Sequence, residues 1–217
     1  MSFDSVARVY RLLELLAFGG ALQRARTAWL DDVRDARSAL VVGEGDGRFL
    51  EQLLLAAPEV RVECVDASAK MLATAAKRVR SERVTWVQAD LATYVPVGRH
   101  DLVITHFVLD CLDAPGVAAL VSRLAATLTD DGRWLLADFR VPDGALRSLR
   151  ARFWLFVMYG FFRVVAGLRV RSLVDPTPHL QAHGLRRTRW SETDAGFVGS
   201  ALWSFRRPTG SSSAPAA

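Results

Sequence analysis

Only two cysteines, Cys64 and Cys111, occur in 217 residues, each within an apolar run and with no CxxC or Cys/His cluster around it. That scarcity excludes a disulfide framework and a structural zinc site, predicts no metal, and suits a reducing, cytoplasmic setting. Lysine is equally scarce, at Lys70 and Lys77, so the net charge of +5 and the pI near 9.8 rest on arginines spread along the whole chain. Diffuse basicity of that kind does not point to a nucleic-acid partner. No apolar run reaches the ~20 residues needed to span a bilayer. The N-terminal MSFDSVARVYRLLELLAF carries Asp4, Arg8, Arg11 and Glu14 inside its apolar pattern, which excludes a signal-peptide core and predicts an amphipathic helix. The C-terminal TGSSSAPAA is small and polar, and 209–217 is expected to be a disordered tail.

What is present is a chain 51% hydrophobic and 24% charged, enough for one compact domain over 1–208. From residue 39 onward, short β-branched runs alternate with helical patterns, as in a doubly wound parallel sheet. Strands are expected at 39–42, 60–65, 84–88, 101–105 and 133–139. Helices are expected from 48 to just before Pro58, over 69–79 behind a Ser68 cap, and over 115–128, stopped by the Asp130-Asp131-Gly132 turn. Beyond 140 a long apolar helical stretch intervenes, then a helix over 173–182 closed by Gly184. Strands at 185–190 and 197–205, joined by the polar turn 191–196, make a hairpin instead of a crossover.

One further absence concerns the ligand. Gly43, Gly45 and Gly47 in LVVGEGDGRFL fall where the first strand turns into its helix, which is where an open α/β sheet binds its ligand. Glycine there permits positive φ and close approach of a ligand to the backbone. A dinucleotide fingerprint, GxGxxG, needs glycine at position 48, where Arg48 stands, so a nicotinamide-dependent oxidoreductase is opposed both by this loop and by the terminal hairpin. Asp66 ends the second strand about 20 residues further on, where a carboxylate can chelate a ribose diol. Asp90, in VQADL, follows the third strand.

With its GxGxG loop, the DASAKML segment matching D-x-S-x-x-M-L, and Asp90 in third place, the chain resembles the class I S-adenosylmethionine-dependent methyltransferases over roughly residues 4–205. It looks most like the quinone-biosynthesis and natural-product members. The resemblance implies an α/β, Rossmann-like methyltransferase fold: a seven-stranded, mostly parallel sheet ending in an antiparallel hairpin, with helices on both faces. It implies a helical cap at 1–36, a cofactor-binding core at 37–140, a helical lid insertion at 141–183 and a closing hairpin at 184–207.

S-adenosylmethionine is then the expected cofactor, held by Gly43, Glu44, Gly45, Asp46 and Gly47, with Asp66 and Ala67 at the ribose and Met71, Asp90 and Leu91 around the adenine. His106 borders the same site. Tyr10 is a candidate for the cofactor's carboxylate and equally a core tyrosine. Many relatives carry an acidic residue two positions before the first glycine, where this chain has Val41, so Glu44 or Asp46 is expected to meet the ammonium group instead.

The fourth strand runs into HDLVITHFVLDCL, whose His106 is the candidate base, since a neutral imidazole of pKa ~6.5 can accept a proton from a hydroxyl. Histidine at this place serves structure more often than catalysis. Asp110 is left with three roles: orienting His106, contacting the acceptor, or capping the next helix. Residues 153–168, FWLFVMYGFFRVVAGL, hold Arg163 as their sole charge and are flanked by Arg147, Arg150, Arg152, Arg169 and Arg171. The segment suits a lid over a hydrophobic acceptor, a plain core helix, or a helix in peripheral contact with a membrane surface, and the lid is favoured. Phe107, Phe153, Trp154 and Tyr159 are the candidate acceptor-lining residues. The expected activity is methylation of a small hydrophobic or aromatic acceptor, on oxygen. No NPPY-type loop of the amino-group methyltransferases that act on DNA is present; the rivals are an RNA methyltransferase, supported by the basic pI though no RNA-binding module or clustered basic stripe occurs, and a non-catalytic protein of the same fold that associates with a membrane surface or partner.

Overall fold

A run of small and β-branched residues, SALVV, makes strand β1 (Ser38–Val42), and four of its five residues are buried, as befits the centre of a sheet covered on both faces. The computed structural model describes residues 20–166 and 173–205, giving only the backbone over 161–166. Within these bounds the order is α1 (Ala21–Thr27), β1, α2 (Arg48–Ala56), β2 (Arg61–Asp66), α3 (Ala69–Val79), β3 (Val84–Gln88), β4 (His100–His106), α4 (Ala114–Ala125), β5 (Leu128–Phe139), α5 (Ala145–Ala166), α6 (Thr177–Ala182), β6 (Leu185–Thr193) and β7 (Val198–Phe205). The expected N-terminal helix, Tyr10 and the tail at 209–217 lie outside the described residues.

The seven strands form one sheet in the order β3-β2-β1-β4-β5-β7-β6. Pairs among β3, β2, β1, β4 and β5 are parallel, and β7 runs antiparallel between β5 and β6. This is the mostly parallel, hairpin-closed sheet expected from the sequence. The strand order reverses at β1 and β4, so their C-terminal ends open a crevice there. On one face Phe49, Leu50 and Leu53 of α2 and Leu72 of α3 pack on Val41, Leu102 and Ile104. On the other, Val117, Leu120 and Leu124 of α4 pack on Leu40, Val103 and Trp134. A third cluster joins Ala21, Leu22 and Ala25 of α1 to Leu155, Met158 and Tyr159 of α5 across Phe139 and Phe197.

Four local expectations are corrected. The helix expected to reach 128 ends at Ala125, because β5 already begins at Leu128; at its start Asp113 caps it, accepting from the Gly116 N–H at 2.9 Å. Asp130, Asp131 and Gly132 do not end a helix but lie in a register shift of β5, between the pairs His100↔Leu128 and Leu102↔Arg133. The helix expected over 173–182 is only Thr177–Ala182, since Pro176 and Pro178 restrict it to one short stretch that ends before Gly184 at φ +82°. β6 extends to Thr193, leaving the tight Asp194–Gly196 turn in place of the longer loop at 191–196.

Candidate active site

The crevice is floored by the loop between β1 and α2, whose three glycines share a left-handed backbone but differ in what surrounds them. All adopt positive φ, at +70°, +75° and +85° for Gly43, Gly45 and Gly47. A Cβ added to Gly43 would lie 2.4 Å from a Val108 methyl, and one added to Gly47 would lie 2.9 Å from the Ala75 Cα. Packing therefore demands glycine at both. At Gly45 an added Cβ would meet nothing within 4 Å, so this position opens onto free space.

Asp66, at the end of β2, leans over that opening. Its carboxylate accepts the Ser68 N–H at 2.8 Å and the Gly45 N–H at 3.4 Å, which ties the glycine loop to the end of the second strand. Ser68 caps α3, accepting from the Met71 N–H at 3.2 Å, so Asp66 is released from capping. Burial raises the Asp66 pKa despite these N–H donors. Met71 is half-buried beside it, and Ala67 is exposed. Asp90 is exposed beyond β3, where its carboxylate accepts the Ala92 N–H at 2.9 Å; Leu91 behind it packs on the second core face.

The two acidic residues within the loop differ sharply. Asp46 faces outward and pairs with Arg48 at 3.1 Å and Arg78 at 3.6 Å. The Glu44 carboxylate turns inward, accepting the Leu50 N–H at 3.0 Å at the start of α2. Desolvation pushes its pKa up to about 7, against the lowering influence of that bond and of the nearby Arg26 cation. Arg26, from α1, also lies with its guanidinium 4.9 Å from the Phe107 ring centroid.

His106 closes β4 beneath this group. It is 7% exposed, and its ring meets Phe49 edge-on at 4.5 Å. Burial first, and then the Arg26 charge, hold its pKa well below the usual imidazole value, so the ring is neutral; its Nδ1 has no partner among the described residues. Phe107 follows with φ +57° and packs at 5.0 Å on Phe139. Asp110 lies on the other side of the chain and is bonded to neither His106 nor the helix cap. Its carboxyl is hydrogen-bonded to that of Asp138, on β5, which also accepts the Asp110 N–H at 3.2 Å and the Phe139 N–H at 2.8 Å. Both carboxyls are buried, and desolvation raises both pKa values; at Asp138 the negative charge of Asp110 raises it further. The pair thus retains a proton where solvated carboxylates have lost theirs.

Over this pair, Tyr159 of α5 donates its hydroxyl to the Asp110 carbonyl at 3.4 Å. Beyond Asp138, a cavity of about 360 Å³ runs along β5, β7 and β6, lined by Asp138, Arg140, Thr177, Arg187, Trp190 and Trp203. The Arg187 guanidinium stacks 4.4 Å from the Trp190 ring centroid, and Trp203, though buried, has an indole N–H without a partner among the described residues.

The Methyltransferase domain family matches residues 39–132, from β1 into β5. The trans-aconitate 2-methyltransferase of Azoarcus sp. (strain BH72) is 35% identical over 98 residues, a match spanning 45% of this chain and 37% of that protein's length. Among solved structures, the N-methyltransferase NodS of Bradyrhizobium japonicum WM9 in complex with S-adenosyl-l-homocysteine is 16% identical, with TM-score 0.64, over 86% of this chain and 88% of that one. The mitomycin 7-O-methyltransferase MmcR is 20% identical, with TM-score 0.68, over 95% and 61%. Over residues 39–132 the chain is thus similar to methyltransferases, and its sheet shares the fold of the solved S-adenosyl-l-homocysteine-bound relative.

The open face of Gly45 and the inward Asp66 carboxylate fit the cofactor of this methyltransferase fold: one leaves room against the backbone, and the other offers acceptor oxygens beside it. The structure ties Gly45 to Asp66 and sets Glu44, His106 and Phe107 around the Arg26 guanidinium. It turns Asp46 into surface ion pairs, and it puts Phe153 on the outer side of α5, 59% exposed, while Trp154 and Tyr159 pack inward. Sequence reasoning missed Arg26, whose α1 position carries no motif, and Asp138. The latter left a readable trace, a single acid ending the apolar run WLLADF. The cavity formed by Trp190, Trp203 and Arg187 could not be foreseen, because it depends on the register of the closing hairpin.

Proposed function

We propose that this methyltransferase methylates a small aromatic or otherwise apolar acceptor on oxygen, and that the cavity beyond Asp138 seats it. The observation carrying the proposal is that cavity itself: two tryptophans give it aromatic walls, and Asp138 at its edge connects it to the turn following β4. Its volume suits a one- or two-ring compound. When bound, S-adenosylmethionine supplies an activated methyl on a sulfonium. Asp66 would hold the ribose diol, Glu44 the ammonium group, and Gly45 would admit the chain of the methionine moiety. What the remaining residues supply is alignment and exclusion of water, which suffice for much of the rate of such a transfer.

An acceptor hydroxyl must also lose a proton. His106 is poorly suited to take it, because burial and Arg26 make its ring a weak base. The Asp110–Asp138 pair is better placed, and a carboxyl pair that shares a proton can take up a second from the acceptor. His106 in this reading shapes the floor of the crevice against Phe49.

The test is product analysis. The protein is incubated with methyl-labelled S-adenosylmethionine and separate pools of small phenols, aliphatic acids, amines and transfer RNA. Label in methyl ethers of the phenols is the expected result. Label in amines or RNA, with none in the phenols, contradicts the proposal.

A further inference from the structure

Between Asp143 and Asp175 the sequence holds six arginines and no acidic residue, in a chain whose net charge is +5. More than the whole net charge therefore lies in this one stretch, and α5 occupies most of it. The same helix carries five of the nine large apolar side chains that are exposed among the described residues: Leu146 (85% exposed), Leu149 (67%), Phe153 (59%), Phe156 (77%) and Val157 (36%). Spacings of three and four residues put them on one stripe. That stripe lies opposite the face through which Ala151, Leu155, Met158 and Tyr159 pack onto the protein, so it belongs to no part of the core.

The arginines flank it. At about 100° per residue, Arg147 and Arg150 fall on one shoulder of the stripe and Arg152 on the other. Arg147 and Arg152 are exposed, and Arg150 pairs with Asp194 at 2.9 Å. An apolar stripe with cations on both shoulders matches an interface lying in a plane, where the side chains sink between acyl chains while the guanidiniums reach phosphate oxygens. No helix among the described residues is long and apolar enough to cross a membrane. A second copy of the chain fits less well, since pairing two such stripes would bring arginines against arginines with no acid on either helix to neutralise them.

The geometry points to α5 as a docking surface for an anionic lipid membrane, on which the protein rests with the helix in the plane of the headgroups. Binding is read without cofactor or acceptor, so its outcome is independent of methyl transfer.

Flotation of the purified chain with vesicles tests this. Expected is co-flotation with vesicles of equal parts phosphatidylcholine and phosphatidylglycerol, falling by about tenfold or more with phosphatidylcholine alone and in high salt. The double substitution Leu149→Glu with Phe156→Glu should abolish flotation while leaving the thermal midpoint within a few degrees. If that variant does not fold, Arg147→Gln with Arg152→Gln, at exposed positions, should weaken flotation several-fold in a folded protein. Three results overturn the proposal: no flotation with anionic vesicles, equal flotation with both vesicle types, or flotation that the folded variants leave unchanged. A dimer seen by light scattering that the variants split, without vesicle association, assigns the stripe to a second copy and also overturns it.

Discussion

Glu44 and Asp46 stand two positions apart in one loop, yet Asp46 pairs with Arg48 and Arg78, which leaves Glu44, bonded to the Leu50 N–H, as the proposed partner of a ligand cation. With its pKa near 7, Glu44 is neutral in mildly acidic solution and anionic above it. Affinity for S-adenosylmethionine should therefore rise with pH, by about tenfold between about pH 6 and about pH 8, as the carboxylate proposed to receive the ammonium ionises. Glu44→Gln keeps an acceptor for the Leu50 N–H and removes the charge, so its affinity should be lower at the upper pH and nearly flat across the range. Titration calorimetry at several pH values measures both; parallel slopes for the two proteins would rule out this role for Glu44.

The glycines separate packing from binding in the same way. Gly45→Ala should cost about 1–2 kcal/mol of stability through its left-handed backbone, since nothing crowds the new methyl, but it should remove most cofactor affinity. Gly43→Ala carries the same backbone cost plus a collision with Val108, and should lower the thermal midpoint further. Paired melting and ligand titration distinguish the two. A Gly45→Ala protein that binds cofactor normally would mean that the open face of the loop is not where the cofactor lies.

At the scale of elements, the Asp110–Asp138 pair joins the turn after β4 to β5 and hence to the cavity along the hairpin. Both carboxyls are raised above the ordinary value of ~3.9, so the folded state holds protons that the unfolded chain releases. Their contribution to stability is fully present below that ordinary value and is lost as pH rises through the folded values. Asp138→Asn removes the titrating carboxyl, keeps a carbonyl oxygen for one of the Phe139 and Asp110 N–H groups, which bond to different oxygens of Asp138, and should flatten the fall of thermal midpoint with rising pH. A variant whose midpoint tracks the wild type across the range would show that the pair does not titrate as described.

The elements also mark how far the sequence could be read. β1, β3 and α3 were legible because alternation, apolar runs and the Ser68 cap all agreed. Residues 128–132 were not, because Asp130, Asp131 and Gly132 carry turn chemistry that the sheet absorbs as a register shift against β4. The glycine loop and Asp66 were visible as motifs, whereas Arg26, Asp138 and the tryptophan cavity arise only when distant elements pack. Phe153 read as acceptor-lining because 153–168 is apolar but for Arg163; only the packing of α5 reveals which side faces out.

For the molecule as a whole, the sheet puts the glycine loop, Asp66, His106 and the acid pair at the C-terminal ends of neighbouring strands, the arrangement by which an open α/β fold builds one ligand crevice. The central claim is that this crevice takes the methyl donor. Isothermal titration of the folded protein with S-adenosylmethionine and S-adenosylhomocysteine tests it most directly. Saturable binding of both at one site per chain, with a raised thermal midpoint in their presence, is the expected result. No heat and no stabilisation from either ligand in a folded sample would contradict it.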